Sequence, residues 1–181
     1  MQQRVFTNGV EIKDQLVKDR FIKNSGVPFT VPTAIDPEAI IRFLAPDTAV
    51  FGTSNMRFYV TKKGNQHLFY SIGSVQVASN RINGTLNNDI RGLLKYTAPL
   101  VPLPSTTGFA YVTKEVRVGY RDQSNMRVAL LHYRLKRDFS GLANSEASGL
   151  LFNEFNEAAI TTIGAGDTLA VQESSFMMPV Q

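Results

Sequence analysis

Two long runs rich in β-branched and aromatic residues constrain the fold of this chain more than any other feature. Residues 108–120 and 126–137 each extend over about a dozen positions, and only the polar segment 121–125 separates them. Strands are usually about five or six residues long, so a hairpin of this length is typical of two-layer or barrel β architecture. The pattern predicts a mainly β protein whose core is a two-sheet sandwich or a jelly-roll-like barrel.

Shorter β segments precede and follow this hairpin. Alternating apolar and polar residues predict strands at 56–62 and 66–72, which a glycine turn at 63–65 joins into a second hairpin. The same alternation predicts a strand at 74–78 and a last strand at 168–178.

Short helices are predicted between the strands. Asp36 is a suitable N-cap, and Pro37 follows it at the first helical position, which predicts a helix over 37–45. Apolar residues at helical spacing predict two further helices, over 86–95 and 146–160.

The first part of the chain has a different character. Residues 1–35 lack one sustained apolar period, and Pro28 and Pro32 favour extended backbone without ladder pairing. The sequence therefore predicts an extended N-terminal arm at 1–35 and a single β-rich domain at 36–181. Ordering such an arm costs roughly 1–2 kcal/mol per residue in backbone entropy, so we expect it to gain its contacts on a neighbouring subunit.

A proline-rich segment at 97–107 is predicted to be a crossover loop without regular pairing. The arm, this loop and the edge of the 108–137 hairpin are the expected contact surfaces. The residues predicted to form the interface are Val27, Phe29, Val31, Pro99, Pro102 and Pro104.

Composition excludes several classes of protein. With 43% hydrophobic and 19% charged residues among 181, the chain has enough apolar material for a core, which excludes a wholly disordered chain or a coiled coil. No apolar run approaches the length of a transmembrane helix, and the first residues lack the layout of a signal peptide. The absence of cysteine excludes disulfides, thiolate zinc sites and a cysteine nucleophile.

The charge pattern leaves contact with nucleic acid as a secondary hypothesis. The formal charge is +4, but the basic residues are scattered and form no basic arm near a terminus. Aromatic residues lie beside basic residues at several places, such as Arg57-Phe58-Tyr59. Proteins that bind single-stranded nucleic acid combine these residue types, because the aromatic rings stack on the nucleobases. An antiparallel sheet with one buried face shows the same interleaving.

No motif in the sequence predicts an enzyme. Gly164-Ala165-Gly166-Asp167 resembles the anion-binding and catalytic-base motif of ribokinase-family sugar kinases, but those kinases need a long helix after it, and here a strand is expected. We interpret this segment as a glycine turn in which Asp167 is a local acceptor. We predict no cofactor and no metal site, and the remaining enzyme alternative centres on His132 or His67 in a small β-barrel.

The overall layout, an arm at 1–35 followed by a β-rich body with short helices between strands, resembles single β-barrel (jelly-roll) capsid and other virion structural proteins of viruses and phages. The resemblance implies eight strands in two facing sheets and many identical copies in a shell. It also implies location in a virion, with the chain itself and other virion proteins as partners. The alternative is a monomeric or trimeric β-sandwich binding module, such as a phage tail or surface-attachment domain, which would use the loops 62–66 and 121–125.

Overall fold

The computed structural model describes residues 3–23, 39–53, 56–78, 89–103, 109–138 and 145–181. The protein is mainly β, as predicted, and forms a sandwich of two antiparallel sheets. The strands are β1 (Gln3–Thr7), β2 (Val10–Glu11), β3 (Ile41–Ala45), β4 (Thr48–Phe51), β5 (Arg57–Lys63), β6 (Gln66–Ser71), β7 (Val75–Ala78), β8 (Val101–Pro102), β9 (Phe109–Thr113), β10 (Val116–Asp122), β11 (Asn125–Arg137), β12 (Ser145–Leu151) and β13 (Thr168–Pro179). The helix α1 (Gln15–Lys23) follows β2, and a 3-10 helix spans Glu157–Thr162.

The larger sheet, which we call the main sheet, has the order β2-β1-β13-β11-β10-β6-β5-β4-β3. Its longest strand, β11, pairs with β13 along one edge, from Asn125 to Lys136. Two strands share the other edge, since the first residues of β11 pair with β10 and residues from Leu131 onward pair with β12. The strand β11 is therefore the centre of the fold.

The hairpin predicted at 56–62 and 66–72 is confirmed, and the longer hairpin is confirmed in part, as the pairing of 119–122 with 125–128. The strands β5 and β6 turn at Gly64, which has a φ of 61° that favours glycine. The strands β10 and β11 pair up to Asp122 and Asn125, so the connection is only two residues long and Gln123 takes a φ of 53°. The run 108–120 is not one strand, however, because Lys114 and Glu115 separate β9 in one sheet from β10 in the other.

Two predicted helices are wrong. Residues 41–45 form the strand β3, because Ile41 and Phe43 pack inward against the core while Arg42 faces solvent, a period of two that prevails over the helix-start signal. Residues 145–151 form the strand β12, which extends the ladder on β11, and only 157–162 are helical. In the predicted helix 86–95, residues 89–92 are helical, whereas 86–88 lie outside the described residues.

The first residues do not form the predicted arm. The strand β1 pairs with β13, from Gln3 opposite Gln172 to Thr7 opposite Thr168, so it belongs to the main sheet of its own chain. The turn Asn8-Gly9 then returns the chain into β2, with φ values of 53° and 74°. The later part of the predicted arm, 24–35, lies outside the described residues.

Phenylalanine dominates the core of the main sheet. Phe51, Phe58 and Phe69 are buried in one cluster, with ring centroids 5.4–6.5 Å apart. The guanidinium of Arg117 lies over this cluster, 4.7 Å from the ring centre of Phe51 and 4.8 Å from that of Phe58, and its Nε donates to Glu115 at 2.6 Å. Flat rings and a flat cation thus pack in the same layer.

The edge strand β3 of the main sheet contacts the residues that follow β13. The amide of Phe43 in β3 donates to the carbonyl of Gln181 at 2.8 Å, and the amide of Gln181 donates to the carbonyl of Ile41 at 2.9 Å. Residues that follow β13 therefore lie beside β3, which shows that the main sheet is strongly curved.

Candidate assembly surface

The smaller sheet, β7-β9-β8, which we call the small sheet, contains the described part of the predicted interface. Pro99 and Pro102 are exposed there. The segment around them is not the unpaired crossover that we expected, because Val101 pairs with Val112 and Pro102 with Tyr111. Proline is tolerated in this ladder because β8 is an edge strand. The remaining predicted interface residues, Val27, Phe29, Val31 and Pro104, lie outside the described residues.

The small sheet exposes large apolar side chains on both of its faces. Val75 is 49% exposed and Tyr111 is 39% exposed, and the register places both on one face. Val101, which is 54% exposed, lies on the opposite face. We call Val75, Val101 and Tyr111, with Pro99 and Pro102, the small-sheet patch. The patch therefore extends over both faces of the small sheet, and exposed apolar side chains of this kind are common at surfaces that bind another molecule.

The outer strands of the small sheet present backbone edges. In the part of the chain that the structure describes, β7 and β8 each pair only with β9. An edge strand of this kind carries N–H and C=O groups that can pair with a strand of another chain.

An apolar cavity of about 320 Å³ lies between the two sheets. Its lining includes Val77 of the small sheet, Ile90 and Leu94 of the segment 89–100, which we call the connecting segment, and Val116 and Leu151 of the main sheet. This volume is at the lower end of the range for small-ligand pockets. The two sheets are therefore not close-packed at this place.

A polar cluster around Glu154 joins the connecting segment to the main sheet. Its carboxylate accepts hydrogen bonds from the Tyr120 hydroxyl and, at 2.8 Å, from the Lys95 ammonium. Gln66 donates to the hydroxyls of Tyr96 at 2.7 Å and Tyr120 at 3.0 Å. Burial and the hydrogen bond to Glu154 raise the pKa of Tyr120 to about 12, so this hydroxyl stays protonated at neutral pH. The cluster is suited to holding the segment in place.

Asn153, next to this cluster, makes the most complete set of buried hydrogen bonds at the junction. Its side-chain amide donates to the carbonyls of Tyr96 at 2.9 Å and Val116 at 3.0 Å. Its side-chain oxygen accepts from the amides of Tyr96 at 3.2 Å and Glu154 at 2.9 Å. One side chain thus ties a main-sheet strand to the segment that leads into the small sheet.

The two histidines, which carried the enzyme alternative, lie apart in buried positions of the main sheet. His67 in β6 stacks on Phe69, and its Nδ1 lies 3.0 Å from the carbonyl of Asn65. His132 lies in the centre of β11, opposite Gln172 of β13. Burial lowers the pKa of both histidines, so both are neutral at physiological pH. Among the described residues, no group of three His, Asp or Glu side chains could hold a metal ion.

The interpretation of the glycine turn is confirmed. The carboxylate of Asp167 accepts from the amide of Gly164 at 3.0 Å and from the amide of Asp138 at 2.8 Å. It also forms an ion pair with Arg137, whose Nε lies 2.9 Å away. Asp167 therefore accepts within the glycine turn and also fixes this turn to the end of β11.

Sequence reasoning found the prolines of this surface but not the sheet that carries them. The small sheet pairs strands from 75–78, 101–102 and 109–113. The sequence predicted the last of these, 109–113, to be the beginning of one longer strand over 108–120. The only local signal was Lys114-Glu115, two charged residues that interrupt an otherwise apolar run.

Comparison with known proteins gives no relative of this chain: no family model, no curated protein and no solved structure matches it. In the described residues, no helix has the length and apolar character needed to cross a membrane.

Proposed function

We propose that this chain is a structural subunit of a virus or phage particle, and that it assembles with copies of itself through the small-sheet patch and the edges of β7 and β8. The exposure of Val75, Val101 and Tyr111 on a sheet with two edge strands is the observation that carries the proposal. Edge strands and apolar patches of this kind are the features by which β proteins associate.

The route of assembly differs from the one that the sequence suggested. The strand β1 pairs with β13 of its own chain, so residues 3–7 do not extend towards a neighbour as the predicted arm would. Pro99 and Pro102 keep their proposed role, because both are exposed members of the small-sheet patch.

We also infer that the main sheet is barrel-like. The hydrogen bonds that join Phe43 and Ile41 to Gln181 place the edge strand β3 beside the residues that follow β13, which supports this inference. A curved body with a small sheet on its outside is a suitable unit for a shell, because it offers neighbours a convex surface and two edges.

Assembly is tested by measuring the mass of the purified protein by light scattering and by imaging it in negative stain. We expect closed particles or defined capsomers for the natural sequence. The variant Val101→Asp places a charge in the small-sheet patch and should shift the protein to monomers. Leu16→Asp is the matched control, since Leu16 is 77% exposed on α1, away from the patch, and assembly should be unchanged.

A natural protein that stays monomeric over a wide range of concentration would overturn the proposal. So would a Val101→Asp variant that assembles as well as the Leu16→Asp control. Circular dichroism of both variants shows whether each is folded.

One observation favours the alternative function, a monomeric or trimeric β-sandwich binding module. The turns of the two long hairpins lie side by side, because the amide of Arg121 donates to the carbonyl of Asn65 at 2.7 Å. The loops 62–66 and 121–125 thus form one end of the main sheet, where a binding module would hold its ligand. This alternative would be supported by a stable monomer or trimer that binds an immobilised glycan. A variant that lacks the 123–124 turn should then no longer bind the glycan.

A further inference from the structure

The outer face of β3, β4, β5 and β6 carries a group of basic and aromatic residues. Cross-strand register places Arg42, Val50 and Arg57 in one row, and Thr48, Tyr59 and Tyr70 in the next. Side chains at directly opposed positions point to the same face, so these two rows share one surface. Lys63, four residues beyond Tyr59 on the same strand, has the same orientation.

Lys114 adds a fourth cation to this surface. Its ammonium lies 5.6 Å from the ring centre of Tyr59 and donates to the carbonyls of Ser71 at 3.0 Å and Ile72 at 3.1 Å. Because an ammonium has three donors, one remains for a ligand. We call Arg42, Arg57, Tyr59, Lys63, Tyr70 and Lys114 the basic face.

The basic face has no balancing carboxylate on its four strands. The register places no Asp or Glu at the outward positions of β3, β4, β5 and β6 in the described chain. Asp47 lies in the turn at the rim, and Glu115, beyond β6, is already paired with Arg117 at 2.6 Å. The face therefore attracts a polyanion.

Tyr59 gives the face a property that a simple charged patch lacks. Its side chain is 51% exposed, and Tyr70 lies directly opposite on β6. The reverse side of the same strands carries Phe58 and Phe69, which are completely buried. The tyrosines thus stand on a rigid layer, which reduces the entropy lost when a ligand stacks on them.

We propose that the basic face binds single-stranded nucleic acid. Bases stack on Tyr59 and Tyr70, while phosphates contact Arg42, Arg57, Lys63 and the free donor of Lys114. This combination of stacking and backbone neutralisation is the mode by which flat β surfaces bind single strands without reading sequence. A duplex is disfavoured because its bases are already stacked and unavailable to the tyrosines. The proposal does not depend on particle assembly, because all six residues belong to one chain.

The test is the fluorescence anisotropy of a labelled twelve-nucleotide oligo-uridine or oligo-thymidine, titrated with the purified protein at several salt concentrations. If four cations contact phosphates, the logarithm of the binding constant should fall with the logarithm of the salt concentration with a slope of about −3. Arg57→Gln should lower the steepness of this slope by about 0.7. Arg20→Gln, which removes an exposed charge from α1, is the matched control and should leave the slope unchanged.

A second pair of variants separates stacking from charge. Tyr59→Ala should weaken binding about 5- to 100-fold, whereas Tyr59→Phe, which keeps the ring, should bind like the natural protein. Neither variant changes the net charge, and Tyr59 points away from the core, so both should fold.

Three results would overturn the proposal. One is failure to bind the oligonucleotide at low salt, and another is equal binding by Tyr59→Ala and Tyr59→Phe. The third is binding of heparin or phosphatidylserine vesicles as tightly as the oligonucleotide, because that would indicate a general polyanion or membrane surface. Since binding is measured on folded protein in any assembly state, loss of assembly alone does not affect the outcome.

Discussion

The main sheet and the small sheet differ in how much of the buried core they supply, since the described core clusters include strands of the main sheet and none of the small sheet. In the main sheet, Phe58, Phe69 and Leu131 are fully buried, and β11 has partners along both of its edges. In the small sheet, Val75 and Val101 are about half exposed, and each outer strand pairs on one side within the described chain. The difference indicates that the main sheet supplies most of the stability, whereas the small sheet presents exposed apolar side chains.

The contrast also separates the two proposals. The proposed assembly would use the small sheet, whose stability within one chain is limited by its size, since short sheets gain little from their own contacts. The proposed binding of nucleic acid would use the outer face of the main sheet, which the phenylalanine core supports from the other side. The substitutions that follow test whether the sheets differ in this way, beginning with the largest expected effect.

Phe69→Ala should be the most damaging change. It removes a ring that contacts Phe51, Phe58 and Phe43, and truncations of buried phenylalanine cost about 3–5 kcal/mol in the free energy of unfolding. Urea denaturation measures this loss. The counterpart in the small sheet, Val101→Ser, should change the stability by no more than about 0.5 kcal/mol. Similar costs for the two variants would contradict the division between the sheets.

Asn153→Leu should have an intermediate effect at the junction. The change keeps side-chain size but leaves the buried carbonyl of Val116 and the backbone of Tyr96 without their partner, at a cost of about 1–3 kcal/mol. Because this side chain ties the two regions together, hydrogen exchange should accelerate in β9 more than in β11. Equal acceleration in both strands would show that the sheets unfold as one unit.

Acidification should produce the smallest and most gradual change, and it should affect the main sheet. Burial lowers the pKa of His67 and of His132, so the unfolded chain binds protons more readily than the folded one. The stability that neutral histidine contributes is therefore complete above about pH 6.5 and is lost as the pH falls through the lowered pKa values. Urea midpoints at pH 7.5 and pH 5 measure the loss.

The double variant His67→Gln, His132→Gln is the control for this pH dependence. The urea midpoint of this double variant should differ less between pH 7.5 and pH 5 than the urea midpoint of the natural sequence. An unchanged difference would assign the acid sensitivity to other groups.

Local patterns predicted the hairpins but not every element around them. Alternation found β5 and β6 because those strands have one buried face. The strand β11 was found by its richness in apolar residues, since most of it is buried on both faces, and β13 alternates in its second half. The helix predicted over 37–45 was wrong because Asp36 and Pro37 are good local helix signals, whereas pairing of β3 with β4 depends on distant contacts. The Asn8-Gly9 hairpin had a clear turn signal, which proline-based reasoning about an arm overlooked.

The candidate surfaces were harder to predict than the strands. Pro99 and Pro102 were identified because proline marks edges and loops. The basic face could not be found from the sequence, because Arg42, Tyr59 and Lys114 are far apart in the chain and meet only through the register of the strands. The same holds for the bonds of Asn153, whose partners lie up to 57 positions away.

The pairing of β1 with β13 has a consequence for biosynthesis. Gln3 and Gln172 are opposite each other although 169 positions separate them. The strand β1 is synthesised first and therefore cannot pair until β13 has been synthesised. Until then, the edge of β11 that β13 will cover is open, and it carries the apolar stretch around Leu130 and Leu131. Long-range closure of this kind folds slowly, and nascent chains interrupted before β13 should be prone to aggregation and to need chaperones.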